Sequence, residues 1–105
     1  MKILEEGTVT SPQGFTAGAA ACGIKNDDVK LDISLVVSEG NCTAAGVFTK
    51  SQVVAAPVTV DKETLKVNSA LMRAVMTNSG NANACTGELG LKNARQMQKA
   101  TAEAL

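Results

Sequence analysis

The stretch of residues 76–90, MTNSGNANACTGELG, decides how this sequence is interpreted. An apolar run that ends at Met76 leads into it, and a segment with helical periodicity follows it. Four amide or hydroxyl side chains lie close together between the two: Asn78, Ser79, Asn81 and Asn83. A plain turn needs only one or two such residues. The stretch therefore predicts a strand-to-helix loop that has more polar groups than the turn requires.

This polar loop supports two interpretations. In the first, the asparagines satisfy backbone groups, Ser79 and Gly80 make the turn, and Thr86 caps the helix. In the second, amide donors at a helix N-terminus hold a carboxylate or a carbonyl oxygen. Composition alone favours the first.

Strands are predicted on both sides of a short hairpin loop at Asn26 to Asp28. The clearest strand is VKLDISLVVSE, residues 29–39, in which apolar and other residues alternate. The preceding FTAGAAACGIK, residues 15–25, predicts either a strand or a tightly packed backbone segment. A further strand is predicted at residues 73–77.

Two more extended segments are predicted in the middle of the chain. Residues 40–50 indicate a turn into a strand with Val47 and Thr49 on one face. Residues 51–63 indicate an extended segment, in which Pro57 favours a sheet edge or an irregular start. The predicted core residues are Leu31, Ile33, Leu35, Val37, Val58, Val60 and Met76.

The last predicted element is an amphipathic helix from Glu88 onward, with Thr86 as N-cap and Glu88 in its first turn. The helical pattern continues to Leu105 without a glycine or other cap. This ending indicates a truncated or cleaved polypeptide, so residues 1–105 are expected to form a single, incomplete domain.

Composition limits the classes of partner. The 105 residues are 45% hydrophobic but only 2% aromatic, namely Phe15 and Phe48, so the core is expected to be thin and to need a partner. Ten basic and ten acidic residues give a formal net charge of zero without a basic patch, which argues against nucleic acid and against an anionic membrane surface. No apolar run approaches the length of a membrane span.

Composition also limits the chemistry. Because the chain has no histidine, it cannot assemble a Ser-His-Asp or Cys-His site, or a Cys/His zinc site. Cys22, Cys42 and Cys85 are interpreted as buried free thiols in a reducing cytoplasm, and no metal or cofactor site is expected. The residues alone predict a small α+β unit without a complete catalytic site.

Three segments carry a resemblance to a known family. SPQGFTAGAAACGIK, TAAGVFTKSQVVAAPV and NSGNANACTGELGLKNARQM are similar to the N-terminal part of the α chain in the ornithine acetyltransferase (glutamate N-acetyltransferase) family of arginine biosynthesis. The resemblance runs from about Gly7 to Leu105, with the motifs in the family's order, and residues 78–87 are its most specific part.

The resemblance implies the fold and the activity. It implies an α+β fold, the N-terminal portion of a layered β-sheet/helix sandwich of the N-terminal-nucleophile-like type. It also implies a precursor that cleaves itself before an internal threonine into α and β chains, which assemble as a heterotetramer. That threonine moves an acetyl group from N-acetylornithine to glutamate through an acetyl-enzyme. Some members also use acetyl-CoA.

Every residue that the family uses for chemistry or direct substrate contact lies beyond Leu105. The resemblance therefore assigns this chain no catalytic or substrate-binding residue and predicts that the chain alone is inactive. Its implied partners are the remainder of the α chain and the β chain, with N-acetylornithine and glutamate as substrates of the assembled enzyme. The loop residues Asn78, Ser79, Gly80, Asn81 and Asn83 are expected to support the active-site neighbourhood without contacting ligands. The alternative is a stand-alone, non-catalytic binding module derived from the same N-terminal half.

Overall fold

In the computed structural model, which describes residues 3–27 and 29–105, a three-stranded antiparallel sheet carries two helices. The elements along the chain are β1 (Phe15–Ala20), β2 (Ile33–Cys42), α1 (Ala56–Asn68), β3 (Met72–Asn78) and α2 (Gly87–Glu103). The strand order is β1-β2-β3, so β2 is central. The predicted α+β class is confirmed.

The sheet follows the alternation seen in the sequence. In the β1–β2 pair the register runs from Phe15 opposite Ser38 to Ala20 opposite Ile33. The β2–β3 register begins with Ile33 opposite Asn78 and shifts after Val37. The predicted strand at 73–77 is thus confirmed, and the one predicted at 29–39 forms from Ile33 onward, so the prediction is wrong for its first four residues. Residues 15–20 take the strand alternative. Asp28, the last residue of the predicted hairpin loop, lies outside the described residues.

The two faces of the sheet differ in their cover. Helix α2 lies on the face of Met76, because the hydroxyl of Thr101 contacts the Met76 sulfur at 2.7 Å. The opposite face, here called the open face, is formed by Ala17, Ala19, Ser34, Val36, Val75 and Thr77. In this face Ala17, Val36 and Val75 form one apolar row across all three strands. Ala17 and Val75 at the two ends of the row are exposed, Val75 at 63%, and Val36 between them is half-buried.

The prediction of an extended segment at residues 51–63 is wrong, because helix α1 occupies Ala56–Asn68. Pro57 lies in the first turn of α1, where a helix needs no N–H from it and where its fixed φ already suits the helical backbone. The β-branched Val58, Thr59 and Val60 resemble a strand in local propensity. Packing of α1 against α2 overrides that propensity.

The strand predicted within residues 40–50 is also wrong. β2 continues to Cys42, and residues 43–50 have no regular structure. Val47 is fully exposed, while Phe48 turns towards α1 and lies 5.5 Å from the Lys62 ammonium. Gly46 passes close to the α1 side chain Leu65, where an added Cβ would lie 3.0 Å from a Leu65 methyl. The segment packs against α1 as a loop and forms no ladder with the sheet.

The core is as thin as the composition indicates. Of the predicted core residues, Val60 is buried at 4% exposure, whereas Leu31 is 58% exposed and is a wrong prediction. β2 begins only at Ile33, so Leu31 precedes the strand and does not continue its apolar face. The other predicted core residues are half-buried: Ile33, Leu35, Val37, Val58 and Met76.

The predicted burial of the cysteine thiols is wrong for Cys22 and Cys85, which are exposed, whereas Cys42 is half-buried. Cys22 and Cys85 lie in loops outside the strands and helices, where the sheet and the helices do not cover them.

The accessible surface is large for the size of the chain. It measures 8071 Å², whereas a folded protein of 10.7 kDa is expected to expose about 5,500 Å². The radius of gyration is 15.1 Å, compared with about 13 Å for a compact domain of this length. No helix among residues 3–27 and 29–105 is long and apolar enough to cross a membrane.

Helix α2 is confirmed, and it ends at Glu103. Thr86 occupies the predicted N-cap position, but its side chain makes no capping hydrogen bond to the helix backbone. Its hydroxyl instead donates to the side-chain oxygen of Asn83 at 2.7 Å. The start of α2 is therefore fixed by the polar loop before it.

Candidate functional site

The first residues of the polar loop lie next to a buried carboxylate, that of Asp32. Asp32 is 2% exposed and lies just before β2. One of its carboxylate oxygens accepts the backbone N–H of Cys22 at 2.7 Å, and the other accepts those of Ile24 at 2.7 Å and Lys25 at 3.1 Å. Gly23, at φ +78°, provides the turn that makes these N–H groups converge. Asp32 thus holds the end of the β1–β2 connection in place.

The ionised form of Asp32 is the stable one. Burial on its own would raise the pKa of Asp32, but the three backbone N–H donors and the nearby Lys25 charge lower it by more. The pKa of this carboxyl therefore lies below its ordinary value. A carboxylate that accepts several backbone N–H bonds is a stable structural anchor near neutral pH.

Asp32 also fixes the first residues of the polar loop. Its backbone carbonyl accepts the N–H of Ser79 at 2.8 Å. Gly80 has φ +106°. It also lies close to the segment whose N–H groups bond to Asp32, because an added Cβ at Gly80 would lie 3.0 Å from Lys25 Cγ and 3.3 Å from Ile24 Cγ2. Gly80 thus meets both a conformational and a spatial requirement for glycine.

Within the loop the asparagines bond to one another. The side-chain amide of Asn78 donates to the backbone carbonyl of Asn81 at 2.7 Å. The side-chain oxygen of Asn81 accepts the backbone N–H of Asn83 at 2.8 Å. These two bonds close successive turns of the loop, as asparagine side chains commonly do.

Asn83 connects the loop to both helices. Its backbone carbonyl accepts the N–H of Ala56, the first residue of α1, at 3.1 Å. Its side-chain amide donates to the carbonyl of Gly90 in α2 at 2.8 Å, while its side-chain oxygen accepts from Thr86. Asn83 adopts φ +49°, a conformation that asparagine tolerates better than most residues. One residue thus positions two helices.

The sequence-predicted site residues are therefore brought together, but mostly to bond within the loop. Asn78 and Asn83 use their side-chain amides internally, and Asn81 uses its side-chain oxygen. Ser79 contributes its backbone N–H, and both Ser79 and Asn81 are exposed. This geometry favours the scaffold interpretation over a ligand-binding loop.

Sequence reasoning missed Asp32, which it treated as the polar member of an alternating strand. The signal that identifies it is the upstream Cys22-Gly23-Ile24-Lys25 segment, whose glycine lets several N–H groups face one carboxylate. Within the described residues no group of three or more His, Cys, Asp or Glu side chains is arranged to hold a metal ion. The arrangement orients backbone and helices and has no nucleophile paired with a base.

Comparison with known proteins gives consistent matches. The model of the ArgJ family matches residues 16–105. The arginine biosynthesis bifunctional protein ArgJ of Thermotoga neapolitana is 49% identical over 94 residues, covering 90% of this chain and 23% of that protein. The ArgJ of Dehalococcoides mccartyi is 45% identical over 104 residues, covering 98% of this chain and 25% of that protein.

Two solved structures share the fold. A crystal structure of ArgJ from Bacillus halodurans superposes with a TM-score of 0.88 at 40% identity, covering 95% of this chain and 51% of that chain. Ornithine acetyltransferase from Mycobacterium tuberculosis, crystallised with ornithine, gives a TM-score of 0.76 at 48% identity, covering 82% of this chain and 44% of that chain. This chain spans about a quarter of the length of the curated relatives described above. From its sequence and its fold alike, the chain belongs to the ArgJ family.

Proposed function

We propose that this chain is the scaffold-forming part of an acetyltransferase that moves the acetyl group of N-acetylornithine to glutamate in arginine biosynthesis. The observation that carries the proposal is the 48% identity and shared fold with an ornithine acetyltransferase crystallised with ornithine. The nucleophile is supplied by polypeptide outside these residues, after self-cleavage of a precursor into α and β chains.

The proposed role of the chain is positional. The hydrogen bonds of Asp32 and Asn83 set the places of β2, β3 and both helices relative to one another. We therefore propose that Asn78, Ser79, Gly80, Asn81 and Asn83 support the active-site neighbourhood of the assembled enzyme and do not contact its substrates. The transfer itself requires no cofactor besides the two substrates, and acetyl-CoA is an additional acetyl donor in this proposal.

The proposed partner is the remaining family polypeptide, namely the rest of the α chain and the β chain, in a heterotetramer. The chain exposes about 2,500 Å² more than a folded protein of its mass is expected to expose. If a partner covered this excess and buried a similar area of its own, the interface would total about 5,000 Å², which lies at the upper end of the range for permanent interfaces. The open face is the apolar surface that such a partner covers, and the chain is accordingly one incomplete domain.

The exposed free thiols of Cys22 and Cys85 suit a reducing compartment, and we place the assembled enzyme in the cytoplasm.

The test is a chimera in which this chain replaces the matching residues of the Thermotoga neapolitana relative. Purified chimera is incubated with N-acetylornithine and glutamate, and N-acetylglutamate is quantified by mass spectrometry. We expect transfer by the chimera and none by the isolated 105-residue chain. A folded, assembled chimera without transfer, alongside an active parent relative, would contradict the proposal.

A further inference from the structure

Strand β1 lies at the end of the sheet and leaves one edge unpaired within the described residues. The N–H of Glu39 donates to the carbonyl of Gly14 at 2.9 Å, so Gly14 directs its backbone groups towards β2. These directions alternate along an antiparallel strand. The residues whose backbone groups point away from β2 are Phe15, Ala17 and Ala19, here called the outer-edge residues.

The outer edge of β1 lacks the features that protect a solvent-facing edge. Soluble proteins blunt such edges with lysine, proline, bulges or covering elements. β1 has the sequence FTAGAA, without charge or proline, and pairs with β2 in continuous register without a bulge. Five of its six residues are exposed, and no described side chain or loop bonds to the outer-edge backbone. Nothing in the strand itself therefore prevents another strand from pairing with its outer edge.

Additional polypeptide is available to fill this position. The matched Bacillus halodurans chain is about twice as long as the part that superposes on this one, so a comparable length of polypeptide lies around the same fold. We propose that a further β-strand, supplied by family polypeptide outside this chain, pairs with the outer edge of β1. The inference rests on one part of the proposed function, namely that this chain is assembled with further family polypeptide.

The pairing gives each outer-edge residue a backbone partner and extends the sheet on the β1 side. Main-chain hydrogen bonds provide the affinity in such strand addition, as in other cases where an extended segment joins an open sheet edge. The small Ala17 and Ala19 side chains leave the open face free for close packing of another layer.

Hydrogen exchange with residue-level mass spectrometry tests the inference in the chimera described above and in the isolated chain. The amides of Phe15, Ala17 and Ala19 are expected to exchange at least about tenfold more slowly in the chimera. The amides of Thr16 and Gly18, which bond to β2 in both, report whether the hairpin is formed. Equal exchange of the outer-edge amides in the two proteins, with the hairpin formed, would overturn the inference.

A matched pair of variants sharpens the test. Ala17→Pro removes an outward N–H and is compatible with an edge strand, whereas Ala17→Ser changes the side chain but keeps that N–H. In the chimera, the proline variant is expected to lose protection at Phe15 and Ala19 by about tenfold or more, while the serine variant keeps it. Protection retained in the proline variant would contradict the pairing.

Acetyl transfer by the unmodified chimera distinguishes this inference from the proposed function. Transfer with unprotected outer-edge amides would contradict the added strand alone. Protected outer-edge amides without transfer would support the strand and contradict the proposed function alone.

Discussion

The side-chain amide of Asn83 donates to the carbonyl of Gly90 at 2.8 Å, and Gly90 has no room for a side chain of its own. A Cβ built on Gly90 would lie 2.5 Å from Asn83 Oδ1 and would overlap the Thr86 hydroxyl. The loop after β3 and the first turn of α2 are thus packed into each other. This contact determines where α2 begins relative to the sheet.

Replacing Asn83 by aspartate is expected to destabilise the chain by about 1–3 kcal/mol, because an oxygen then faces the Gly90 carbonyl and the amide donor is lost. Aspartate tolerates a left-handed backbone about as well as asparagine, so the backbone conformation is kept. The added charge lies near the start of α2, where the helix dipole favours it, so it does not account for the expected loss. The measurement is the free energy of unfolding in urea at pH 7.

Asn81→Asp is the control for that prediction. Asn81 uses only its side-chain oxygen as an acceptor, and aspartate keeps an oxygen there. Its effect is expected to stay within about 0.5 kcal/mol, as for an ordinary surface substitution. Equal destabilisation by the two variants would contradict the central role of Asn83.

Gly90→Ala is expected to cost about 1–3 kcal/mol through overpacking, even though alanine is the better helix former. The cost arises because both Thr86 and Asn83 must move away from the new methyl group. Gly40→Ala provides the comparison, since a Cβ at Gly40 meets no atom within 4 Å. Urea unfolding of both variants decides the matter, and a Gly90 variant as stable as the parent would count against the packing described.

The sequence predicts the elements whose periodicity and local chemistry agree. The alternation around Leu35 and the helical spacing after Glu88 both produce the expected elements. The sequence does not predict helix α1, because Val58, Thr59 and Val60 favour a strand locally. The helix is stabilised by its contact with α2, which local propensity does not show.

The candidate site shows the same division between local and distant information. The sequence predicts the asparagine loop because the residues that form its turns are neighbours in the chain. The role of Asp32 depends on N–H groups of residues 22–25, which come together with it only when the hairpin forms. Burial of that carboxylate is a tertiary property, and strand alternation alone predicts the opposite.

The isolated chain is expected to self-associate through its open face, because the row of Ala17, Val36 and Val75 lacks a cover in the described structure. Val75→Lys places a charge in the middle of that face and should shift the chain towards monomer in sedimentation velocity. Val67→Lys, at a position on α1 that is also largely exposed, should leave association unchanged. A monomeric parent chain with a sharp thermal transition would contradict this prediction.

Asp32 and Asp61 should give the chain opposite dependences of stability on pH. The lowered pKa of Asp32 means that its stabilising contribution is present above the unfolded value of about 3.9 and is lost as pH falls through the folded-state pKa. The stability difference between the parent and Asp32→Asn should therefore narrow below about pH 4. Asp61 in α1 is exposed, and partial desolvation raises its pKa, so Asp61→Asn should gain only slight stability relative to the parent as pH rises above about 4. Urea midpoints measured from pH 2 to 7 test both, and a constant gap between the parent and Asp32→Asn would show that the carboxylate charge does not hold the loop.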